Sequence, residues 1–175
     1  PYAPTIKLPD TPFNQRANAI VREPELQAFW DEIGLYDKLS AQADANGNER
    51  FVLHDGPPYA NGNLHIGHAL NKILKDFINR TQVLKGKQVH YIPGWDCHGL
   101  PIELKVLQTI DKKERKDLTP ITLREKAASF AKETVQSQSE SFQRYGIFGD
   151  FENPYLTLHP EFEAAQIDVF GEMFK

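Results

Sequence analysis

The stretch PPYANGNLHIGHALNKILKDFI, residues 57–78, joins a sharply bent loop to the start of a helix. The prolines, glycine and asparagines of its first half favour turns and predict the loop. Two histidines that stand three residues apart, His65 and His68, follow this loop. From about Leu64 the apolar residues recur at helical spacing, which predicts an amphipathic helix. The residues that form this apolar stripe are Leu70, Ile73, Leu74, Phe77 and Ile78.

Short strand candidates flank this helix. The first is FVLHD, residues 51–55, which we expect to be mostly buried. The second is VHYI, residues 89–92, which follows the helix-ending Gly86. Strand, helix and strand at this length predict a parallel βαβ unit with a right-handed crossover, and hence an α/β fold.

The rest of the chain alternates helical patterns with polar connections. In chain order we predict an extended arm (1–22), a helix from Glu23-Pro24 to about Gly34, a polar linker (40–50), a solvated charged loop (111–117), a long helix from a capping box of Thr122 and Glu125 to Gly146, an irregular segment (148–153) and a last helix from Pro160.

Composition limits the functional classes. A formal net charge of −4 argues against a module whose main task is to grip nucleic acid by charge. The single cysteine, Cys97, excludes an intrachain disulfide and fits a reducing compartment. No apolar run is long enough for a membrane span. The chain begins with Pro and ends at Lys175 within a helical pattern, so we expect it to be part of a longer protein.

The histidine pair suits the binding of an anion. The amide N–H groups in the first turn of a helix lack intrahelical partners and carry partial positive charge, so a helix start after a strand and a tight turn favours phosphate. His65 and His68 add hydrogen-bond donors on one side of that turn, and Gly67 leaves room for a flat ring. This arrangement favours nucleotidyl transfer, in which negative charge builds on an α-phosphate.

Two other interpretations of the pair stay open at this point. An HxxH pair can bind a metal, although the HExxH pattern of the metalloproteases is absent. The two histidines can also be ordinary polar residues at a helix start.

The segment HDGPPYANGNLHIGHALNKILKDFI (54–78), taken together with GWDCHGLPIE (94–103), resembles the isoleucyl branch of the class I aminoacyl-tRNA synthetases. Valyl relatives usually have PPPNVTG and GTDHAG at these places, and leucyl relatives have PYPSG and GWDAFG. The methionyl branch shares YANG but lacks the second segment. REPELQAFW (22–30) and the segment 148–173 also resemble this family, so the resemblance covers nearly the whole chain.

This resemblance implies a fold and an activity. Residues 50–175 are expected to form the first half of a Rossmann-type (HUP-like) parallel-sheet catalytic domain, preceded by an N-terminal arm and helix in residues 1–49. The implied reaction is the ATP-dependent activation of isoleucine to isoleucyl-adenylate, followed by transfer to tRNA(Ile). Mg²⁺ is expected with ATP, and zinc only in segments beyond this chain. We expect a cytoplasmic monomer without membrane contact, with an organelle matrix as the other possible location.

The resemblance also implies roles for individual residues. His65 and His68 of the HIGH motif are the implied catalytic residues. The implied ATP-binding residues are Pro58, Asn61, His65, Gly67 and His68, and the implied amino-acid-binding residues are Gly56, Pro57 and Asp96.

Asp96 is also a candidate on physical grounds. A carboxylate that follows a strand end can pair with a buried ammonium group, and ligands of open α/β sheets bind outside such ends. The alternative is an Asx-turn residue after Gly94-Trp95.

Several neighbouring residues have plainer interpretations. Cys97 is expected to be a packed apolar residue, Trp95 a packing residue, His98 a residue that shapes the amino-acid pocket, His54 structural or catalytic, and Lys72 and Lys75 surface charges.

The sequence departs from the family in what it lacks. The KMSKS signature, which would supply a lysine to the ATP phosphates, is absent, as are the editing insertion, the anticodon-binding helices and a cysteine-rich zinc module. We therefore expect the 175-residue chain alone to bind ATP or isoleucine weakly, if at all, and to be inactive or very weakly active. Two alternatives stay open: a non-catalytic, synthetase-derived binding fragment, and a small HxGH nucleotidyltransferase that would leave GWDCHGLPIE unexplained.

Overall fold

A computed structural model describes residues 2–7, 11–12, 16–111 and 113–175 of the protein. Parts of the predicted arm (1, 8–10 and 13–15) and Lys112 of the predicted charged loop lie outside the described residues. The helices are α1 (Ala19–Glu32), α2 (Leu35–Ala45), α3 (Ile66–Leu84), α4 (Leu100–Thr109), α5 (Pro120–Arg144) and α6 (Pro160–Phe174), with 3₁₀ turns at Ala3–Thr5 and Glu114–Asp117. The strands are β1 (Arg50–Phe51), β2 (Gln88–Val89), β3 (Gly94–Trp95) and β4 (Tyr155–Leu156).

Two small parallel sheets organise the chain. β1 pairs with β2 across α3, with Arg50 opposite Gln88, so the predicted parallel βαβ unit is confirmed. Both strands are shorter than the predicted ranges 51–55 and 89–92, because the ladder ends after two residue pairs. β3 pairs in parallel with β4, a strand that the sequence pattern did not predict.

In the described part of the chain, α1, α3, α5 and α6 correspond to predicted helices, whereas α2 and α4 were not predicted. α1 begins at Ala19, four residues before the predicted start near Glu23. Pro24 therefore lies inside the helix. α2 occupies much of the predicted polar linker 40–50, so that prediction is wrong. Gly34, at φ +59°, lies between the two helices in the left-handed region that glycine adopts at little cost.

α5 and α6 are close to their predictions. The cap of α5 is Thr119, whose side chain and that of Thr122 each bond the other residue's backbone N–H. The capping box therefore lies three residues before the predicted pair of Thr122 and Glu125. Gly146, at φ +78°, follows the end of α5, and α6 begins at Pro160 as predicted.

The core lies between α4, α5 and the residues around β3. Its fully buried large side chains include Tyr91, Trp95, Ile102 and Phe142. This core fixes the positions of the loops that precede α3 and follow β3. Among the residues that the structure describes, no helix is long and apolar enough to cross a membrane.

α3 turns its polar face toward the rest of this chain. Lys72, Asp76 and Asn79 are buried, whereas four residues of the predicted apolar stripe, Leu70, Leu74, Phe77 and Ile78, are 44–60% exposed. The interpretation of Lys72 as a surface charge is wrong, since its side chain is 2% exposed, and Lys75 is 16% exposed. The physical reason is a buried counter-ion, which belongs to the site described next.

Candidate functional site

The histidine pair forms the cap of α3. His65 is the N-cap residue, and its Nδ1 accepts a hydrogen bond from the Gly67 N–H at 3.1 Å. His68 Nδ1 accepts from the His65 N–H at 3.2 Å, and the two rings lie 3.9 Å apart between centroids. A Cβ on Gly67 would lie 2.9 Å from the His65 ring, so only glycine fits there without a shift. The predicted proximity of the two histidines is confirmed.

This capping leaves a defined donor on each ring. Because both Nδ1 atoms accept hydrogen bonds, a neutral ring carries its proton on Nε2. Burial, together with the charges of His65 and Lys72, lowers the pKa of His68, so this ring is neutral at neutral pH. The amides of Gly67 and His68 are bonded within the turn, which corrects the expectation that they are unpartnered. The Nε2 atoms of His65 and His68 therefore remain as side-chain donors at this helix start.

A buried ion cluster ties α3 to the preceding loop. Asp55 is 1% exposed and accepts hydrogen bonds from Lys72 Nζ, from Lys75 Nζ at 2.7 Å and from the Gly94 N–H at 2.9 Å. Lys72 Nζ also lies 3.2 Å from the Tyr91 hydroxyl oxygen. The cluster thus holds two cations against one carboxylate, one and two turns along α3 from His68.

The titration of this cluster follows from burial and charge. Burial raises the pKa of Asp55, but the charge of Lys72 and the hydrogen bonds from both lysines and Gly94 outweigh burial and hold this pKa below its ordinary value. Burial lowers the pKa of Lys72, and Asp55 opposes that effect. Lys72 Nζ also lies 5.0 Å from the centroid of the Phe142 ring, a cation–π contact that favours the charged ammonium. The carboxylate of Asp55 and the ammonium group of Lys72 thus stabilise each other in their charged forms.

The loop before α3 and the segment after β3 lie side by side. The Asp96 N–H donates to the Pro58 carbonyl and the Ala60 N–H donates to the Asp96 carbonyl, both at 2.9 Å. Asp96 Oδ1 accepts from the His98 N–H at 3.2 Å, which is the Asx-turn geometry. The structure thus brings predicted ATP-binding and amino-acid-binding segments into contact, while the role of Asp96 toward an ammonium group stays a prediction.

The remaining candidates of the loop are at least partly accessible. Pro57 and Asn61 are half-buried and Gly56 is exposed. The nearest side-chain atom to a Cβ placed on Gly56 would be Lys75 Nζ, at 3.8 Å. Their assignment to ATP or amino acid is therefore a prediction. Within the described part of the chain, no hydrogen bond or ion pair joins these residues to the imidazole rings of His65 and His68.

The interpretations of Trp95 and Cys97 as packed residues are confirmed. Trp95 is fully buried, and Cys97 is 4% exposed, with burial raising the pKa of its thiol to about 11. His54 stacks on the ring of Tyr155, a structural contact. His98 Nε2 lies 3.1 Å from Glu163 Oε1 on α6, so its ring faces that helix. No group of three or more metal-ligating side chains was found in the described ranges.

Comparison with known proteins decides the family. The model of the family described as tRNA synthetases class I (I, L, M and V) matches residues 25–175. The chain belongs to this family. The chain is 64% identical over 173 residues to an isoleucine–tRNA ligase of Nostoc punctiforme, and the match covers 99% of the chain and 18% of that protein. It is 64% identical over 172 residues to an isoleucine–tRNA ligase of Acaryochloris marina, covering 98% of the chain and 17% of that protein.

A solved structure supports the fold of this synthetase segment. The segment matches the LeuRS of the LeuRS–tRNA–LeuAMS ternary complex from Agrobacterium radiobacter K84 with a TM-score of 0.66 and 25% identity. The match covers 91% of the chain and 18% of that LeuRS. The α/β fold is thus similar to that of a class I synthetase, and the segment spans less than a fifth of the length of the relatives it matches. The resemblance to isoleucyl-tRNA synthetases is confirmed.

Sequence reasoning missed three positions in this part of the synthetase. Lys72 was assigned to the surface, and Gln138 and Thr157 were assigned no part in the site, although Thr157 Oγ1 accepts from the Cys97 N–H at 2.8 Å. The signal for Gln138 was present, since this residue interrupts the apolar stripe of α5. No local signal marks Lys72, because its partner Asp55 lies 17 residues earlier in the sequence.

Proposed function

We propose that this chain is the first half of a Rossmann-type catalytic domain in an isoleucine–tRNA ligase, where it binds ATP and isoleucine. We assign the catalytic half-domain to residues 50–175 and the arm with its helices to residues 1–49. The observation that carries the proposal is the pair of Nε2–H donors that His65 and His68 present at the start of α3.

The reaction needs no nucleophilic side chain. The carboxylate oxygen of isoleucine attacks the α-phosphorus of ATP, the bond to the bridging oxygen breaks, and pyrophosphate leaves with the electron pair of that bond. Negative charge grows on the phosphate oxygens during this step, so donors that are already in place stabilise the transition state. His65 and His68 supply such donors through their Nε2 atoms. Mg²⁺ enters with ATP as part of the substrate.

The neighbouring loops complete the substrate sites. Pro58, Asn61 and Gly67 are proposed to line the ATP site beside the histidines. Gly56 and Pro57 are proposed to line the amino-acid pocket, and Asp96 to pair with the ammonium group of isoleucine. The hydrogen bond from the Asp96 N–H to the Pro58 carbonyl supports this assignment, because it joins the two segments to which ATP and isoleucine are assigned.

The second step and the tRNA depend on further parts of the enzyme. The isoleucyl group passes from the adenylate to the 3′ end of tRNA(Ile), with AMP as the leaving group. The segment has a formal net charge of −4, so we assign most tRNA contacts to other segments of a cytoplasmic enzyme.

Amino-acid-dependent exchange of pyrophosphate into ATP tests the proposal. We would measure it in the full-length protein that contains this segment, with isoleucine, valine and leucine, and in the 175-residue chain. We expect exchange in the full-length protein with isoleucine preferred, and very weak or no exchange in the chain alone. A preference for valine or leucine would contradict the isoleucine assignment, and silence with all three would favour a non-catalytic binding module.

A further inference from the structure

Gln138 is a polar side chain at a core position of α5. It is 2% exposed and lies on the same side of the helix as the buried Val135 and Phe142. A buried amide without a hydrogen-bond partner would destabilise the fold. The partners of the Gln138 amide therefore indicate its role. A primary amide offers one carbonyl oxygen and two N–H groups.

Both ends of the amide are used, and they are used by different segments. Gln138 Oε1 accepts from Trp95 Nε1–H at 2.9 Å. Gln138 Nε2 donates to the Tyr59 carbonyl at 3.2 Å and to the Gly62 carbonyl at 2.6 Å. One planar group therefore fixes the loop before α3 relative to β3.

These partners flank the proposed substrate contacts. Tyr59 and Gly62 bracket Asn61, and Trp95 immediately precedes Asp96. The backbone hydrogen bonds of Asp96 connect the same two segments at residues 58 and 60. Gln138 bonds the loop at Tyr59 and also at Gly62, further along the bend. None of the partners of Gln138 is itself a proposed substrate ligand.

We propose that Gln138 is a positioning residue that holds the ATP loop (59–62) and the amino-acid segment (95–96) in one fixed arrangement, so that the two substrates meet in reactive geometry. This inference rests on the proposed function. Reaction rates depend steeply on such alignment, and a misplacement of about 1 Å can cost about 10²-fold. A purely structural amide would affect stability alone.

The test compares two substitutions of Gln138 with a matched control in the full-length protein. Gln136 lies on the same helix, is exposed and bonds only Glu140 among the described residues, so Gln136→Met is the control for Gln138→Met. We expect Gln138→Met to lower kcat/KM for isoleucine-dependent exchange by about 10²-fold relative to the control, with both substrates affected.

The pH dependence of the activity of the Gln138→Glu variant distinguishes a positioning role from a purely structural one. Its carboxylate form has no donor and faces two carbonyl oxygens, whereas its protonated form regains one O–H donor. Burial favours the protonated form, so we expect its activity relative to wild type to rise as the pH falls from about 8 to about 6. This variant decides the matter if Gln138→Met does not fold.

The outcomes separate this inference from the function on which it rests. If wild type exchanges with isoleucine but Gln138→Met is folded and within about twofold of the control, the positioning role is wrong. If the activity of Gln138→Glu relative to wild type does not change with pH, the positioning role is wrong as well. Silence of the wild-type protein with every amino acid would overturn the proposed function, and this inference with it.

Discussion

Replacing Asp55 by Asn should lower the free energy of unfolding far more than the removal of a surface charge does. The side chain of Asp55 is fully buried and faces Lys72, which is 2% exposed, and Lys75, which is 16% exposed. Asn keeps the shape but leaves two cations without a counter-ion. Removing one partner of a buried ion pair costs about 3–5 kcal/mol. We expect the upper part of this range, because both lysines lose the same partner.

That cost is large against the stability of a domain, which is about 5–15 kcal/mol in total. For a chain of this length it corresponds to a fall in Tm of about 6–20 °C. Urea unfolding of the 175-residue chain, followed by tryptophan fluorescence, would measure the change in free energy of unfolding. Glu49→Gln is the control, because Glu49 pairs with Lys87 on the surface, and exposed pairs are worth about 0–1 kcal/mol.

The pH dependence of this difference has a defined sign. The folded-state pKa of Asp55 lies below the unfolded value, so the carboxylate stabilises the fold fully above about pH 4 and the contribution is lost as the pH falls through the folded pKa. Wild type and Asp55→Asn should therefore converge in strong acid. A cost at neutral pH equal to that of Glu49→Gln would refute the role of Asp55 as a buried counter-ion.

Three further predictions concern residues around the site. In an NMR titration the pKa of His68 should lie below the ordinary value of about 6.5 and rise in Lys72→Met, because burial and the charges of His65 and Lys72 lower it; a value at or above 6.5 in wild type would contradict this. Cys97, buried and with a pKa of about 11, should react with iodoacetamide at mildly alkaline pH far more slowly in the folded chain than in urea, and equal rates would count against its burial. Gly94→Ala should destabilise the chain by about 1–3 kcal/mol in urea unfolding, because a Cβ there would overlap the ring of Tyr155, whereas Gly171→Ala, in open space on α6, should not destabilise it.

Local sequence signals predicted the elements that local chemistry determines. The start of α3 was predicted within two residues, because His65 caps the helix with its own side chain and Gly67 gives that ring room. The parallel βαβ unit followed from element order and length alone. α6 followed from a proline in the first turn of a helix, which is a favoured position.

Other features depend on partners that lie far away in the sequence. Hydrophobic periodicity shows that α3 has two faces, but it does not show which face this chain covers. The polar face is buried because Asp55 pairs with Lys72, and because Asp76 Oδ1 accepts from the Phe148 N–H at 3.0 Å. Such pairs span 17 and 72 residues, so no window of sequence displays them.

The site divides in the same way. The close approach of His65 and His68 could be predicted, since both lie in one short motif. The role of Gln138 could not be predicted, although this residue interrupts the apolar stripe of α5, because its three partners come from residues 59, 62 and 95, and only folding shows that they converge on α5.

The most direct test of the proposed chemistry is pyrophosphate exchange in the full-length protein after single histidine substitutions. His68→Ala and His65→Ala each remove one donor at the start of α3, and His90→Ala is the control, since its ring is 52% exposed and lies near Asp150 instead. Removing one preorganised donor costs about 10²–10³-fold in rate. We expect a loss of this size for His65→Ala and His68→Ala, with His90→Ala unchanged. Wild-type exchange rates in the His65→Ala and His68→Ala proteins would contradict the assignment of this helix start as the phosphate-binding site.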